Sequence, residues 1–381
     1  MGNHRFPYIW NLADARFTKD RGTVFSCFAC GGGSTMGYKL AGFDVIGCNE
    51  IDPRMMEAYQ RNHSPRFPYL EPIQEFRHRD DLPPELYDLD ILDGSPPCSS
   101  FSMAGVNCGR EAGWGKKKKF REGQAEQVLD TLFFDFIAVA DRLKPKIVIA
   151  ENVKGLLLGE ARNYVTRIYH EFEAAGYHCQ HFVLDAQTMG VPQRRERVFF
   201  VCLRKDLIEY VPHNSNLFGE CAPVLKLDFK ESPILFGEVI DRQRERERER
   251  ERERPQEHEQ CGREIKSPEM RKRWDARQPQ DDDFGDVTTR LYGRRLTFNT
   301  QFVRSDRVCS TLTGKEDSIV LYDEPRYLSR NEVCRIATFP MDYQFADNKP
   351  HYIGGMSVPP VMMANIASEV WTQWLSKIQN M

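Results

Sequence analysis

The sequence predicts an α/β fold, with an open parallel sheet in its first half and a smaller, irregular second domain. Three observations predict it. Short apolar β runs alternate with helix-patterned stretches as far as Leu203, the first run passes directly into a glycine-rich turn, and beyond Leu203 a polar, Arg-rich block extends to about residue 325. Strands alternating with helical segments read as βαβ units joined by crossover helices.

Taken in order, the strand Thr23 to Phe28 leads through Cys30-Gly31-Gly32-Gly33 to a helix starting near Ser34, and a second strand ends at the acidic Glu50. The apolar run Leu89 to Leu92 enters Asp93-Gly94-Ser95-Pro96-Pro97-Cys98-Ser99. A helix is expected from Gln124 to Leu143, because Val128, Leu132, Phe136, Val139 and Leu143 form one stripe at helical spacing before Pro145 stops it. Strands then follow at Lys146 to Ala150 and at Val198 to Cys202. The last helix, from about Pro360 through Trp374, carries Met363, Ile366, Val370 and Trp374 on one side and is expected to pack back on the first domain. The expected division is a catalytic domain over 1–204, a second domain over 205–340 and a return segment over 341–381. Inside the second, Arg244 to Arg254 alternates Arg and Glu. That period of two places opposite charges at i,i+3 but like charges at i,i+4, so an exposed spacer is expected.

Among 381 residues the formal net charge is only −3. No global basicity points to a nucleic-acid partner, so positive charge has to be read locally. Lys116 to Lys119 with Arg121, Arg271 to Arg273, and Arg294-Arg295 are such clusters, though each alone is most often plain solvated surface. No apolar run approaches the roughly 18 residues of a membrane span, and the amino terminus lacks a signal-peptide core. Eleven cysteines without regular spacing argue against a disulfide framework and fit a reducing cytoplasm. Cys27-Phe28-Ala29-Cys30 is a lone CxxC without a second pair to complete a zinc site, so no metal is expected.

Chemistry concentrates at four motifs. Two prolines clamp Cys98 at the carboxyl end of a strand, where Pro97 and Pro96 fix φ and limit how far a nucleophilic sulfur can wander. A silent core cysteine is as common a reading for that residue alone. Glu151, in Ala150-Glu151-Asn152-Val153, brings a carboxylate to the same sheet edge, where open α/β sheets bind ligands. Gln193-Arg194-Arg195-Glu196-Arg197 supplies guanidinium groups for bidentate recognition of a planar polar substrate or a carboxylate. In the fourth motif, the glycines after Phe28 let the backbone approach a ligand closely.

In order and rough spacing these motifs resemble the cytosine-5 DNA methyltransferases. The resemblance covers Val24 to Leu203, resumes at Arg326 to Glu332 and Thr338-Phe339-Pro340, and ends at Ser357-Val358-Pro359-Pro360. It implies a Rossmann-like S-adenosylmethionine-dependent fold carrying a target-recognition domain. By resemblance Cys98 adds to C6 of a flipped cytosine, Glu151 protonates or hydrogen-bonds N3, Arg197 contacts O2, Arg195 holds the catalytic carboxylate, and Asn152 anchors the Pro-Cys turn. S-adenosyl-L-methionine would meet Phe28, Ala29, Cys30, Gly31, Gly32, Gly33, Glu50, Ile51, Asp93, Ser95 and Pro96, with Met356, Ser357 and Val358 from the carboxyl-terminal motif. Glu50 would accept from the ribose hydroxyls and Asp93 would lie near the adenine. Ser99, Ser102, Lys116, Lys117, Lys118 and Lys119 belong to the implied lid over the extruded base, while Arg290, Arg294, Arg295, Thr297 and Asn299 are candidates for DNA contact. Two positions depart from the family pattern: Cys30 stands where the turn has its first glycine, and Met356 where the last motif has asparagine.

The implied partners are double-stranded DNA and a cognate restriction endonuclease, with a monomer on DNA, no membrane, and a cytoplasmic, nucleoid-associated location. A tRNA methyltransferase of the same superfamily is the alternative, but its Cys-Phe-Thr signature is missing. A cytosine-5 enzyme using a modified donor, and a silent DNA-binding protein that kept the fold, are two further readings. Intact Cys98, Glu151 and Arg197 argue against the silent one.

Overall fold

The computed structural model describes residues 4–97, 117–118, 127–128, 131–158, 162–215, 221–240, 262–295 and 300–380. Cys98, Ser99, Ser102, Lys116, Lys119, Thr297, Asn299 and the Arg-Glu tract lie outside them, as do the side chains of Lys117 and Lys118. The chain forms two compact units, one of residues 16–185, 196–229 and 362–381, the other of 1–15, 186–195 and 230–361.

The larger unit is built on a seven-stranded sheet with strands β1 (Thr23–Cys27), β2 (Asp44–Glu50), β3 (Phe67–Leu70), β4 (Ile91–Gly94), β7 (Ile147–Val153), β8 (Tyr177–Asp185) and β9 (Glu196–Arg204). A separate two-stranded pair joins β5 (Lys117–Lys118) to β6 (Gln127–Val128). The large sheet runs in the order β3-β2-β1-β4-β7-β9-β8. Its first five strands are parallel, and their near-continuous apolar runs are what a sheet covered on both faces requires. Between them lie α1 (Gly33–Leu40), α2 (Pro53–His63), α3 (Ile73–Phe76), α4 (Leu132–Leu143) and α5 (Arg162–Ala174). α2 begins as its sequence dictates, with Asp52 accepting from the backbone N–H of Arg54 and Met55, and Pro53 at the first helical position.

Two elements depart from the expected pattern. β9 runs antiparallel to both β7 and β8, because residues 186–195 hold only the short turn Ala186–Thr188 and cannot make the dozen-residue crossover a parallel strand needs. α4 begins at Leu132 rather than Gln124, and Val128 belongs to β6. The stripe of Leu132, Phe136, Val139 and Leu143 is buried in the core with Phe133, Phe172, Tyr177 and Phe200.

Residues 205–229 stay with the sheet rather than opening a second domain at 205. Their hairpin, His213–Ser215 with Cys221–Pro223, is held by Gln180 Nε2 donating to Pro223 O at 2.9 Å. The last helix, Pro360–Val370, continues into Trp371–Leu375, where Trp374 is buried and its Nε1 donates to Val224 O at 3.0 Å.

The smaller unit keeps residues 341–361, which were expected in the return segment. Its core gathers Trp274, Phe284, Val287, Phe302, Val320 and Tyr327 between the helices Pro268–Asp275 and Phe284–Tyr292 and the parallel pair Gln301–Val303 and Ile319–Leu321. Arg326 is buried against Glu332 in a two-point ion pair, at 2.8 and 2.9 Å. The same carboxylate accepts from the backbone N–H of Ser329, closing a capping box on the helix Arg330–Ile336.

Gly47, on β2, has no room for a side chain, because a Cβ there would stand 2.4 Å from the backbone oxygen of Phe67 on β3. Gly47→Ala is expected to destabilise the sheet unit by about 1–3 kcal/mol, the usual cost of overpacking. Urea unfolding checks it, and an unchanged midpoint would show that β3 yields freely.

Candidate active site

The carboxyl ends of β1, β2, β4 and β7 share one edge of the sheet, the edge at which such sheets bind ligands. β1 ends in a turn whose backbone is left-handed at alternate residues, with φ of +52° at Phe28, +49° at Cys30 and +84° at Gly32. A left-handed residue with a side chain costs about 1–2 kcal/mol. Two of them in one turn are retained only where the surroundings impose the geometry. Cys30 is thus accommodated at the departed glycine position, half-buried, with Sγ 3.6 Å from Met55 Sδ. Gly32 must be glycine for a second reason, since a Cβ there would lie 2.1 Å from Nε2 of the buried His63.

Glu50 closes this turn from β2. Its Oε2 accepts from Cys30 N at 2.7 Å, and its Oε1 from Ile51 N at 2.9 Å and Asp52 N at 2.8 Å. Burial raises its carboxyl above the ordinary range against the opposing pull of these donors. The carboxylate first shapes the turn, and of its roughly four lone-pair positions about one remains for a ligand. Phe28 is half-buried against the core, Ala29 N donates to Asn49 O, and Gly31 and Gly33 are buried.

At the neighbouring strand ends, β4 pairs with β7 in a register that sets Gly94 beside Ala150, so the Ser95-Pro96-Pro97 turn leaves the sheet next to Glu151. Asn152 Nδ2 donates to Pro96 O at 3.1 Å and so tethers that turn, while its Oδ1 accepts from Val153 N. Glu151 is buried, with Oε1 3.0 Å from Nε of Arg197 at the start of β9. Burial lowers the Arg197 pKa, and the Glu151 carboxylate opposes that shift. Arg197 Nη1 donates to Glu196 O.

Two expected roles change here. Arg195, not Arg197, was expected to hold the catalytic carboxylate. Instead Arg195 is buried in the smaller unit, donating to Leu312 O at 3.2 Å, Gly355 O at 2.9 Å and Ser357 O at 3.0 Å. Arg195 precedes β9 and is spent on these carbonyls, whereas Arg197 lies within β9 and pairs with Glu151 of β7. Asp93, expected beside the adenine, faces inward from β4. It lies opposite Ser26 of β1 in the strand register and is fully buried. Of the basic candidates for DNA contact, Arg290 is paired with Asp281 at 2.6 Å, and Arg295 with Asp283 at 2.5 Å and Asp286 at 2.7 Å, while Arg294 is exposed. Met356 ends the helix Pro350–Met356 and is exposed, whereas Ser357 and Val358 are buried. His63 and the Ser26–Tyr38 pair beside Asp93 were not picked out from the sequence, for no motif marks them.

Among the described residues no cluster of three or more His, Cys, Asp or Glu side chains could hold a metal ion, and no helix is long and apolar enough to cross a membrane.

The family model for C-5 cytosine-specific DNA methylase matches residues 22–372, taking in every strand of the large sheet. The chain belongs to that family. Among curated relatives, the Type II methyltransferase M.FnuDI of Fusobacterium nucleatum is 37% identical over 184 residues, which are 48% of this chain and 47% of that protein. The match to M.NgoPII of Neisseria gonorrhoeae is of similar extent, so the chain spans about half the length of these two relatives. M.Sau96I of Staphylococcus aureus is 28% identical over 90% of this chain and 74% of its own. Among solved structures, a DNMT2 of Spodoptera frugiperda shares the fold at a TM-score of 0.58 and 18% identity, covering 92% of this chain and 99% of that one. This methylase family works in general with S-adenosylmethionine.

Removing Arg195 strands three buried carbonyl oxygens, each a desolvation penalty of about 1–3 kcal/mol. Arg195→Met is expected to cost about 3 kcal/mol or more in urea unfolding. A variant as stable as the parent would show that those carbonyls find other donors.

Proposed function

We propose that this chain is a sequence-specific DNA (cytosine-5)-methyltransferase that uses S-adenosyl-L-methionine. The Glu151–Arg197 pair carries the reading, because it stands beside the Pro-Cys turn that Asn152 tethers. That arrangement suits a planar, neutral ring offering a nitrogen and a carbonyl oxygen side by side.

The residues divide the work as follows. Cys98, stiffened by Pro97 and Pro96, adds as thiolate to C6 of the cytosine and breaks the ring's conjugation. Glu151 holds the proton at N3, drawing electron density as C6 is attacked. Arg197 fixes that carboxyl through Nε and leaves Nη2 for the cytosine O2. The strained turn of Phe28, Ala29, Cys30, Gly31, Gly32 and Gly33 would hold the donor, and Glu50 and Ile51 would meet its ribose. Ser95 and Pro96 would border it. When bound, the donor supplies an electrophilic methyl group on sulfonium for C5. A base must be extruded from the duplex for this chemistry, at a few kcal/mol, and Ser99, Ser102 and Lys116 to Lys119 form the proposed lid.

The smaller unit is the proposed target-recognition domain. Arg294 is its strongest described candidate for DNA contact, since the acids beside Arg290 and Arg295 already engage those guanidiniums. Double-stranded DNA is the proposed substrate, met by a monomer in the cytoplasm. The Type II names of several relatives support a cognate restriction endonuclease as partner.

DNA carrying 5-fluorocytosine in the target site blocks loss of the C5 substituent and should trap the protein covalently. Cys98→Ser is expected to abolish the adduct. An adduct lost instead in Cys108→Ser would move the nucleophile into the lid, and methylation of tRNA but not duplex DNA would overturn the substrate. Glu151→Gln should reduce kcat by about 10²–10⁴-fold, the range for a lost acid–base group, with the fold intact by circular dichroism.

A further inference from the structure

Asp93 is a buried acid for which the proposed reaction has no use. It sits at the penultimate position of β4, and the backbone runs on from it into Gly94-Ser95-Pro96-Pro97. Its Oδ2 accepts from Ser26 Oγ at 2.8 Å and its Oδ1 from Tyr38 OH at 3.2 Å. Ser34 is a third hydroxyl donor. Ser26 precedes the strained turn on β1, and Ser34 and Tyr38 occupy α1, which follows it. One carboxyl therefore grips both flanks of the glycine-rich turn from the strand that delivers the Pro-Cys turn. Gly94 beside it is equally fixed, since a Cβ there would lie 2.5 Å from the Phe136 ring.

We propose that Asp93 is a positioning residue whose ionised carboxylate locks the glycine-rich turn to the strand bearing the Pro-Cys turn, making donor binding depend on its charge. This rests on the donor assignment above. The ionised form accepts from all the hydroxyls at once, whereas a protonated one must donate and gives up part of the grip. The titratable groups facing it are Cys27 on β1, Tyr38 on α1 and Glu151 on β7. Burial, the largest effect, pushes the Asp93 carboxyl up to about 7, with the Glu151 charge adding to it and the Ser26, Tyr38 and Ser34 hydroxyls opposing. The grip is then present above neutrality and lost as pH falls through 7. With only the ionised form competent, affinity at pH 6 should be about tenfold below that at pH 8.

Calorimetric titration of the full chain with S-adenosylmethionine between pH 5.5 and 8.5 tests the proposal, beside Asp93→Asn and Tyr38→Phe. Asp93→Asn should bind more weakly at pH 8 and show no inflection near neutrality. Tyr38→Phe removes a donor to the carboxylate and should move the inflection to higher pH. Thermal melts over the same range give a readout that needs no donor. Because the folded pKa lies above the unfolded one, near 3.9, the Asp93 contribution to stability should fall as pH rises from about 4 to 7, so the parent should lose stability relative to Asp93→Asn across that range. A binding inflection that persists in Asp93→Asn, a stability difference between parent and Asp93→Asn that stays constant over that range, or a Tyr38→Phe profile identical to the parent, would overturn the proposal. A pH-dependent stability difference between parent and Asp93→Asn, with no donor bound by the parent at pH 8, would overturn the donor assignment and, with it, the role given to Asp93.

Discussion

The contact between Glu151 and Arg197 depends on a reversal of strand direction. β7 delivers Glu151 near its carboxyl end, and an antiparallel β9 begins where β7 finishes, so Val153 pairs with Arg197 in the strand register. A parallel β9 would put Arg197 at the far end of the sheet. The ladder itself therefore brings a buried carboxylate within 3.0 Å of a partly buried guanidinium. Leaving either charge without its partner in that setting would be costly. The short excursion of residues 186–195 is what enforces the antiparallel course.

The same sheet edge imposes an order on the rest of the site. Glu50 gathers three backbone N–H groups and bends the chain after β1 into alternate left-handed residues. Asn152 ties down Pro96, and Asp93 accepts from Ser26 on β1 and Tyr38 on α1, on either side of the glycine-rich turn. Each of these side chains is buried and hydrogen-bonded within the sheet unit, whether to a turn, a strand or a helix. Preorganisation of this sort places reacting groups without a reorganisation cost at the moment of reaction.

In the smaller unit, charge is used chiefly for internal order. Arg326 pairs with Glu332 inside the core, and Arg290 and Arg295 are matched to Asp281, Asp283 and Asp286. A nearly neutral chain can therefore contain arginine-rich stretches whose charge is already spoken for. Clusters of basic letters overstate the positive surface there.

Sequence alone determined the alternation of strands and helices, the glycine-rich turn, the acid ending β2, and the motifs that mark the family. Those are local properties: apolar periodicity fixes which residues face a core, and the turn residues fix where the chain bends. Tertiary structure decided the direction of β9, the start of α4 at Leu132, the allocation of 205–229 to the sheet and of 341–361 to the smaller unit, and the separate duties of Arg195 and Arg197. It also turned Asp93 inward. These outcomes depend on which partner a side chain meets across tens or hundreds of residues. A strand pattern shows that Asp93 and Ser26 each lie on a face; only the register of β1 against β4 makes those faces meet.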